Sequence, residues 1–307
     1  MFYKSKEIFN IIKSIWNHPL NKHQKFLAIL NFLKYNIAKL LIKKKEIIVP
    51  WIADSKFIIG INEIQLRWNI YCGMFEYEDM IFTINSLNKE NLFIDVGANV
   101  GIYTILASKV VGAKSIAFEP CQKTFERFKD QISINRIDHL VTVHQNAVGS
   151  KSGKVHISNY GDTRNVLNEI LKVNEENQES TEVKMTTLDE EIKNENRNYV
   201  VKIDVEGYEF EVIRGAKNIL SSKKLIALIV ENNDMSKKYD YSRLQMHEYL
   251  LSLNLFPIKY DPFTKKITKK ENITTSLNTI YINDFLKIQK ICEGSNKYFV
   301  HTANIWI

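Results

Sequence analysis

Five carboxylates, Asp95, Glu119, Asp204, Glu206 and Glu231, stand at or just past the end of an apolar run, where a strand would open onto a ligand. The first belongs to Phe93-Ile94-Asp95-Val96-Gly97-Ala98-Asn99-Val100-Gly101, after which a helical pattern starts at once with Ile102, Tyr103 and Thr104. Glycine lets a ligand lie directly on a turn, so Gly97, Ala98, Asn99 and Gly101 are candidates for a nucleotide-cradling bend. The dinucleotide pattern G-x-G-x-x-G is absent, because Asn99 and Ile102 occupy the positions where it needs glycine. Asp95 would repel a pyrophosphate and attract a cation, a sign that suits the amino acid end of S-adenosylmethionine. Glu119 follows 24 residues later, close to the ~20-residue interval at which an acid meets a ribose in doubly wound folds. Its carboxylate can accept from both ribose hydroxyls.

Asn146, past the third strand, has two readings, a reader of the adenine edge or a turn former. The run Lys202-Ile203-Asp204-Val205-Glu206-Gly207-Tyr208-Glu209 brings Asp204 and Glu206 to the same crevice. They suit a general base, a metal ligand or a hold on an amine. Lys202 requires a carboxylate partner if buried, and Glu209 fits the first turn of a helix. Glu231, His156 and His301 are further candidates, the histidines reading more simply as hairpin residues. A hydroxyl acceptor is a poor acid, so a base or a divalent ion should assist its attack.

These residues need a scaffold that aligns strand ends. From residue 91 short apolar runs alternate with helical periods, predicting strands over 92–96, 114–119, 141–145, 199–204 and 225–231. A helix is clearest over 209–220. The order gives a doubly wound, Rossmann-like α/β sheet. Segments 153–159 and 182–186 read as extra strands around a polar stretch, and 256–283 as a hairpin closing one sheet edge. Upstream, 5–16 and 24–42 read as amphipathic helices, the second with Phe26, Leu30, Leu33, Ile37 and Leu41 on one face. The expected division is a basic helical appendage over 1–72 and a catalytic domain over 73–307.

In FIDVGANVGIYT, IAFEP, TTLDE and VKIDVEGYEFEVIRGA, the chain resembles the FkbM family of methyltransferases across roughly residues 73 to 283. The resemblance implies a class I methyltransferase sheet of seven strands, the last antiparallel. It also implies S-adenosylmethionine as donor, frequently with O-methylation of sugar or secondary-metabolite hydroxyls. On it, Asp95, Gly97, Asn99, Gly101 and Glu119 fall in the cofactor site, with Asp204 and Glu206 at its mouth. A looser resemblance of 21–45 and GDTRNVL to a subset accompanying surface-polysaccharide synthesis makes 160–182 an acceptor-side insertion, with Asp162, Thr163 and Asn165 within reach of substrate. Tyr77 and Glu78 could cap the pocket.

The net charge of +7 is carried by the start of the chain, where residues 1–60 hold eleven lysines and no arginine against Glu7, Glu46 and Asp54. Core or dimer packing, an anionic membrane and nucleic acid are the three readings of that segment. Interleaved arginine and aromatic platforms are missing, which speaks against nucleic acid. Three scattered cysteines suggest neither zinc site nor disulfide, and no run reaches spanning length. A cytoplasmic enzyme, peripheral at a membrane or homodimeric, is expected. The competing readings are an RNA methyltransferase and a non-catalytic cofactor-binding assembly protein.

Overall fold

The computed structural model describes residues 5–41, 46–60, 63, 66–158, 170–171, 180–232, 234–271 and 278–307. Leu92–Val96 (β3), Tyr199–Ile203 (β9) and Leu225–Glu231 (β10) are almost unbroken apolar runs, the composition of strands covered on both faces. They form the middle of an eight-stranded sheet. On one side of β3 come Lys114–Phe118 (β4) and Val141–His144 (β5), both parallel to it. Beyond β10 lie Asn278–Ile282 (β13), antiparallel, then Phe256–Asp261 (β11) and Lys266–Lys269 (β12). The sheet therefore has one strand more than the seven expected, the addition being the polar edge strand β12. The 256–283 segment pairs as anticipated, with β13 inserted between β10 and β11.

Helix α5 (Ile102–Ile105), which widens into π-turns over Leu106–Val111, and α6 (Gln122–Asn135) return the chain from β3 to β4 and from β4 to β5. The other half runs from β9 through α8 (Glu209–Arg214) and α9 (Lys217–Leu220) to β10. Strand order thus reverses between β3 and β9, and in such sheets the ligand crevice lies outside the strand ends at that point. The single helix expected over 209–220 is broken at Gly215-Ala216. Asp189, in the short helix α7 (Leu188–Glu191), caps the second piece by accepting from Asn218 N and Ile219 N, both at 3.0 Å.

Residues 1–72 hold α1 (Ser5–Asn17) and α2 (Lys25–Leu41), and also a β-hairpin, Glu46–Pro50 (β1) with Lys56–Gly60 (β2), before α3 (Leu66–Cys72). Ile15, Phe32, Tyr35, Trp51 and Phe57 share one apolar cluster with Phe93 and Val200 of the sheet. The edge of β2 is closed by two side-chain amides of α6. Gln131 exchanges hydrogen bonds with Ile58 N and O, and Asn135 with Lys56 N and O, all at 2.7–2.9 Å. On α2 the inward residues are Ala28, Phe32 and Tyr35, whereas Phe26, Leu30, Leu33 and Ile37 face outward. The repeat read from sequence is therefore not the core stripe. The extra strands Gly153–Ser158 (β7) and Ser180–Thr186 (β8) form, with Ala147–Val148 (β6), a separate three-stranded sheet.

Candidate active site

The bend after β3 is held by its neighbours on both sides. Gly97 N and Ala98 N donate to Phe118 O at 3.0 Å, and Asp204 N donates to Val96 O at 3.0 Å. Gly97 has φ +76°, and a Cβ there would stand 1.9 Å from Asp204 O. At Gly101, φ +79°, a Cβ would lie 2.0 Å from the Phe128 ring. Only glycine satisfies either position. Asn99, at φ +51°, completes the turn, and its N–H donates to Glu119 Oε2 at 3.0 Å. The other Glu119 oxygen accepts from Cys121 N at 2.9 Å. Burial pushes the Glu119 carboxyl up to about 7, against the lowering effect of those two amides. Each oxygen keeps a further lone pair, so Glu119 is a pre-aimed acceptor.

Behind the bend lies a buried polar network. Alternation along the strands puts Asp95 and Lys202 on one face, as direct register partners. Asp95 is 1% exposed and accepts from Thr104 Oγ1 at 2.7 Å, tying the strand to α5. Burial raises its pKa to about 6, opposed by Lys202 and Thr104. Lys202 Nζ lies 2.6 Å from Asp204 Oδ2 and 4.6 Å over the Tyr103 ring. Burial would strip its proton, yet Asp204, Glu76 and Asp95 outweigh that and hold the ammonium above the usual lysine value. The carboxylate partner that Lys202 demanded is thus Asp204. Tyr103 in turn donates to Glu76 Oε2 at 2.7 Å, and Asn278 of β13 donates to Glu76 Oε1 at 3.2 Å and Asp79 Oδ2 at 3.1 Å. Glu76, Asp79, Tyr103 and Asn278 were missed in the sequence. The acidic string Glu76-Tyr77-Glu78-Asp79 opening α4 (Tyr77–Ser86) was the available signal, since a buried lysine calls for more than one acid. Tyr77 and Glu78 bond to each other at 2.9 Å.

Past β9 the chain turns through Glu206 at φ +53° and Gly207 at φ +101°. Glu209 fastens this loop, its Oε1 accepting from Val205 N at 3.1 Å and Gly207 N at 3.0 Å. It is a loop clamp rather than a simple first-turn acid, and burial raises it to about 7 against those same amides. A non-glycine residue at positive φ costs about 1–3 kcal/mol and collects at functional sites; Glu206 carries that cost beside Asp204. Glu231 ends β10 in register with Asn278. Its neighbour Asn232, which sequence reading passed over, is 2% exposed, and among the described residues neither of its amide atoms finds a hydrogen-bond partner.

Register aligns Val96, Phe118, His144, Ile203 and Val230 across the sheet, so Gly97, Glu119, Asp204 and Glu231 open onto one rim. Asn146 is half-buried two residues past His144, whose carbonyl accepts from Glu119 N at 3.1 Å. His156 stands apart on β7, 3.2 Å from Ser180 Oγ, and His301 bonds Ala53 O at 2.7 Å. Both are hairpin histidines. Asp162, Thr163 and Asn165 lie outside the described residues. No group of three or more metal-ligating side chains occurs among the described residues.

A doubly wound α/β sheet with a glycine bend and acids at its strand ends is of the Rossmann-like class. The methyltransferase FkbM domain matches residues 95–255, and the chain belongs to that methyltransferase family. It is 25% identical over 190 residues to the hexuronic acid methyltransferase AglP of Haloferax volcanii, covering 60% of this chain and 76% of that protein. It is 24% identical to methyltransferase 1 of Beauveria bassiana, over 45% of this chain and 63% of that one. Among solved structures, a putative O-methyltransferase from Klebsiella pneumoniae superposes with a TM-score of 0.39 at 10% identity, covering 69% of this chain and 81% of that one.

Proposed function

We propose that this methyltransferase uses S-adenosylmethionine to methylate a hydroxyl of a sugar or polysaccharide precursor. The observation that carries the donor assignment is Glu119, buried at the β4 tip and aimed by Asn99 N and Cys121 N beside the Gly97 bend. The residues fit the donor: the tight bend from Gly97 to Gly101 opens onto the rim, Glu119 would take the ribose hydroxyls, and Asn146 would meet the base. When bound, the donor supplies an electrophilic methyl on a sulfonium.

Asp204, ion-paired through Oδ2 with Lys202 Nζ at 2.6 Å, is assigned to orienting the hydroxyl rather than to taking its proton. Glu206, on the loop that Glu209 fastens, is assigned as general base, with Glu231 at the next strand tip as a further acceptor. A bound acceptor and donor that shut water out of this rim would favour a reaction in which opposite charges cancel. The relative named as a hexuronic acid methyltransferase supports a sugar acceptor.

Calorimetry with S-adenosylmethionine, its demethylated product and NAD tests the donor. Transfer of labelled methyl into uronic-acid oligosaccharides, with RNA as the comparison, tests the acceptor. Heat from NAD alone, or label in RNA and none in glycan, would overturn the reading.

A further inference from the structure

Helix α2 is apolar on two faces. The inner one, Ala28, Phe32 and Tyr35, belongs to the core. The outer one, Phe26, Leu30, Leu33, Ile37 and Leu40, repeats at four- and three-residue steps and stands 44–82% exposed. Trp16 meets Phe26 edge-on at 5.6 Å and carries the patch to α1, where Phe9 is 66% exposed on the same side. Singly exposed apolar residues need no account, but a continuous stripe marks a binding surface. With 17 residues, α2 offers a stripe about 25 Å long. No described helix is long and apolar enough to cross a membrane.

Charge selects the occupant. Lys13, Lys22 and Lys34 are exposed on or between these helices, in a stretch whose lysines far outnumber its acids. A second copy meeting this face about a two-fold axis would set those lysines against each other. Anionic headgroups neutralise them instead, while the acyl boundary takes the apolar stripe and the lysine stems reach outward. We propose that α1 and α2 dock the protein flat on an anionic lipid bilayer. This surface is distinct from the methyl-transfer site, so either reading can fail without the other.

The test is sedimentation of the full chain with vesicles of phosphatidylcholine alone or mixed with phosphatidylserine. Binding to the mixed vesicles at low salt should exceed binding to phosphatidylcholine by at least ~10-fold and fall as salt rises. The Leu33→Glu/Ile37→Glu double variant, altered only at exposed positions, should lose it while keeping the melting temperature and donor binding. A Lys13→Glu/Lys34→Glu variant should lose it too, and stands in if the first melts early. No sedimentation at low salt overturns the proposal, as does undiminished binding by both variants. So does a wild-type dimer that the first variant dissolves while vesicles bind neither protein.

Discussion

A carboxylate is worth to a site what its surroundings make of it, and four acids of this chain show four outcomes. Glu119 is aimed by two amides, Asp95 is spent on Thr104 and Lys202, Asp204 is ion-paired, and Glu209 fastens a loop. Glu119→Ala should weaken donor and product binding by roughly 10- to 100-fold, since hydrogen bonds to charged groups contribute ~1.5–3 kcal/mol each; calorimetry reads this directly. Glu206→Gln should lower kcat by roughly 10²- to 10⁴-fold, the range for a lost general base, with donor affinity kept. An unchanged kcat removes Glu206 from the chemistry. Glu209→Gln keeps both amide bonds, because both fall on Oε1. Burial raises the wild-type carboxyl from 4.5 in the unfolded chain to about 7 in the folded one. Between those values the folded chain holds the extra proton, so its stability declines as pH climbs. The variant lacks that decline, and its melting temperature should gain on the wild type from about pH 4.5 to 7.

At the scale of elements, the site depends on strand tips held at fixed separations. Gly97→Ala would drive a methyl against the Asp204 carbonyl, prying β3 from β9. Soluble protein of this variant should show no donor heat, and normal donor binding would mean the bend relaxes freely. Within TTLDE polar side chains cap helices. Thr187 caps α7 and Asp189 caps α9, so Asp189→Ala should cost about 0.5–2 kcal/mol of stability. Its denaturation midpoint should drop while turnover per folded molecule holds.

Across the whole molecule, one apolar cluster runs from Ile15 and Trp51 through Phe93 to Ile280 and Cys292. Segments from both chain ends therefore stabilise the sheet together. Trp51 Nε1 donates to Gly73 O at 2.6 Å, and Asn31 Nδ2 to Thr302 O at 2.8 Å. Calorimetry should accordingly record a single cooperative transition. Removal of residues 1–60 should abolish it, leaving broad unfolding without a sharp heat peak. Two separate transitions would mean that the N-terminal segment folds as a unit of its own.

The sheet's parallel strands were legible because buried strands leave unmistakable apolar runs such as Leu225–Glu231. The bend was legible because glycine and acid at a strand end have few other uses. Local pattern was equally sufficient for β7 and β8. It did not contain which face of α2 is covered, since an apolar repeat has the same period whether it meets a core or solvent; Phe26 and Phe32 are told apart only by what packs on them. Nor could spacing show that Asp95 bonds Thr104 and faces Lys202 while Glu119 accepts from Asn99 and Cys121, or that Glu76, 126 residues before Lys202, shares its charge. Those assignments come from register and from chain segments meeting across the sheet. Electrostatic partnership depends on distance in space, and only the folded arrangement of strands sets it.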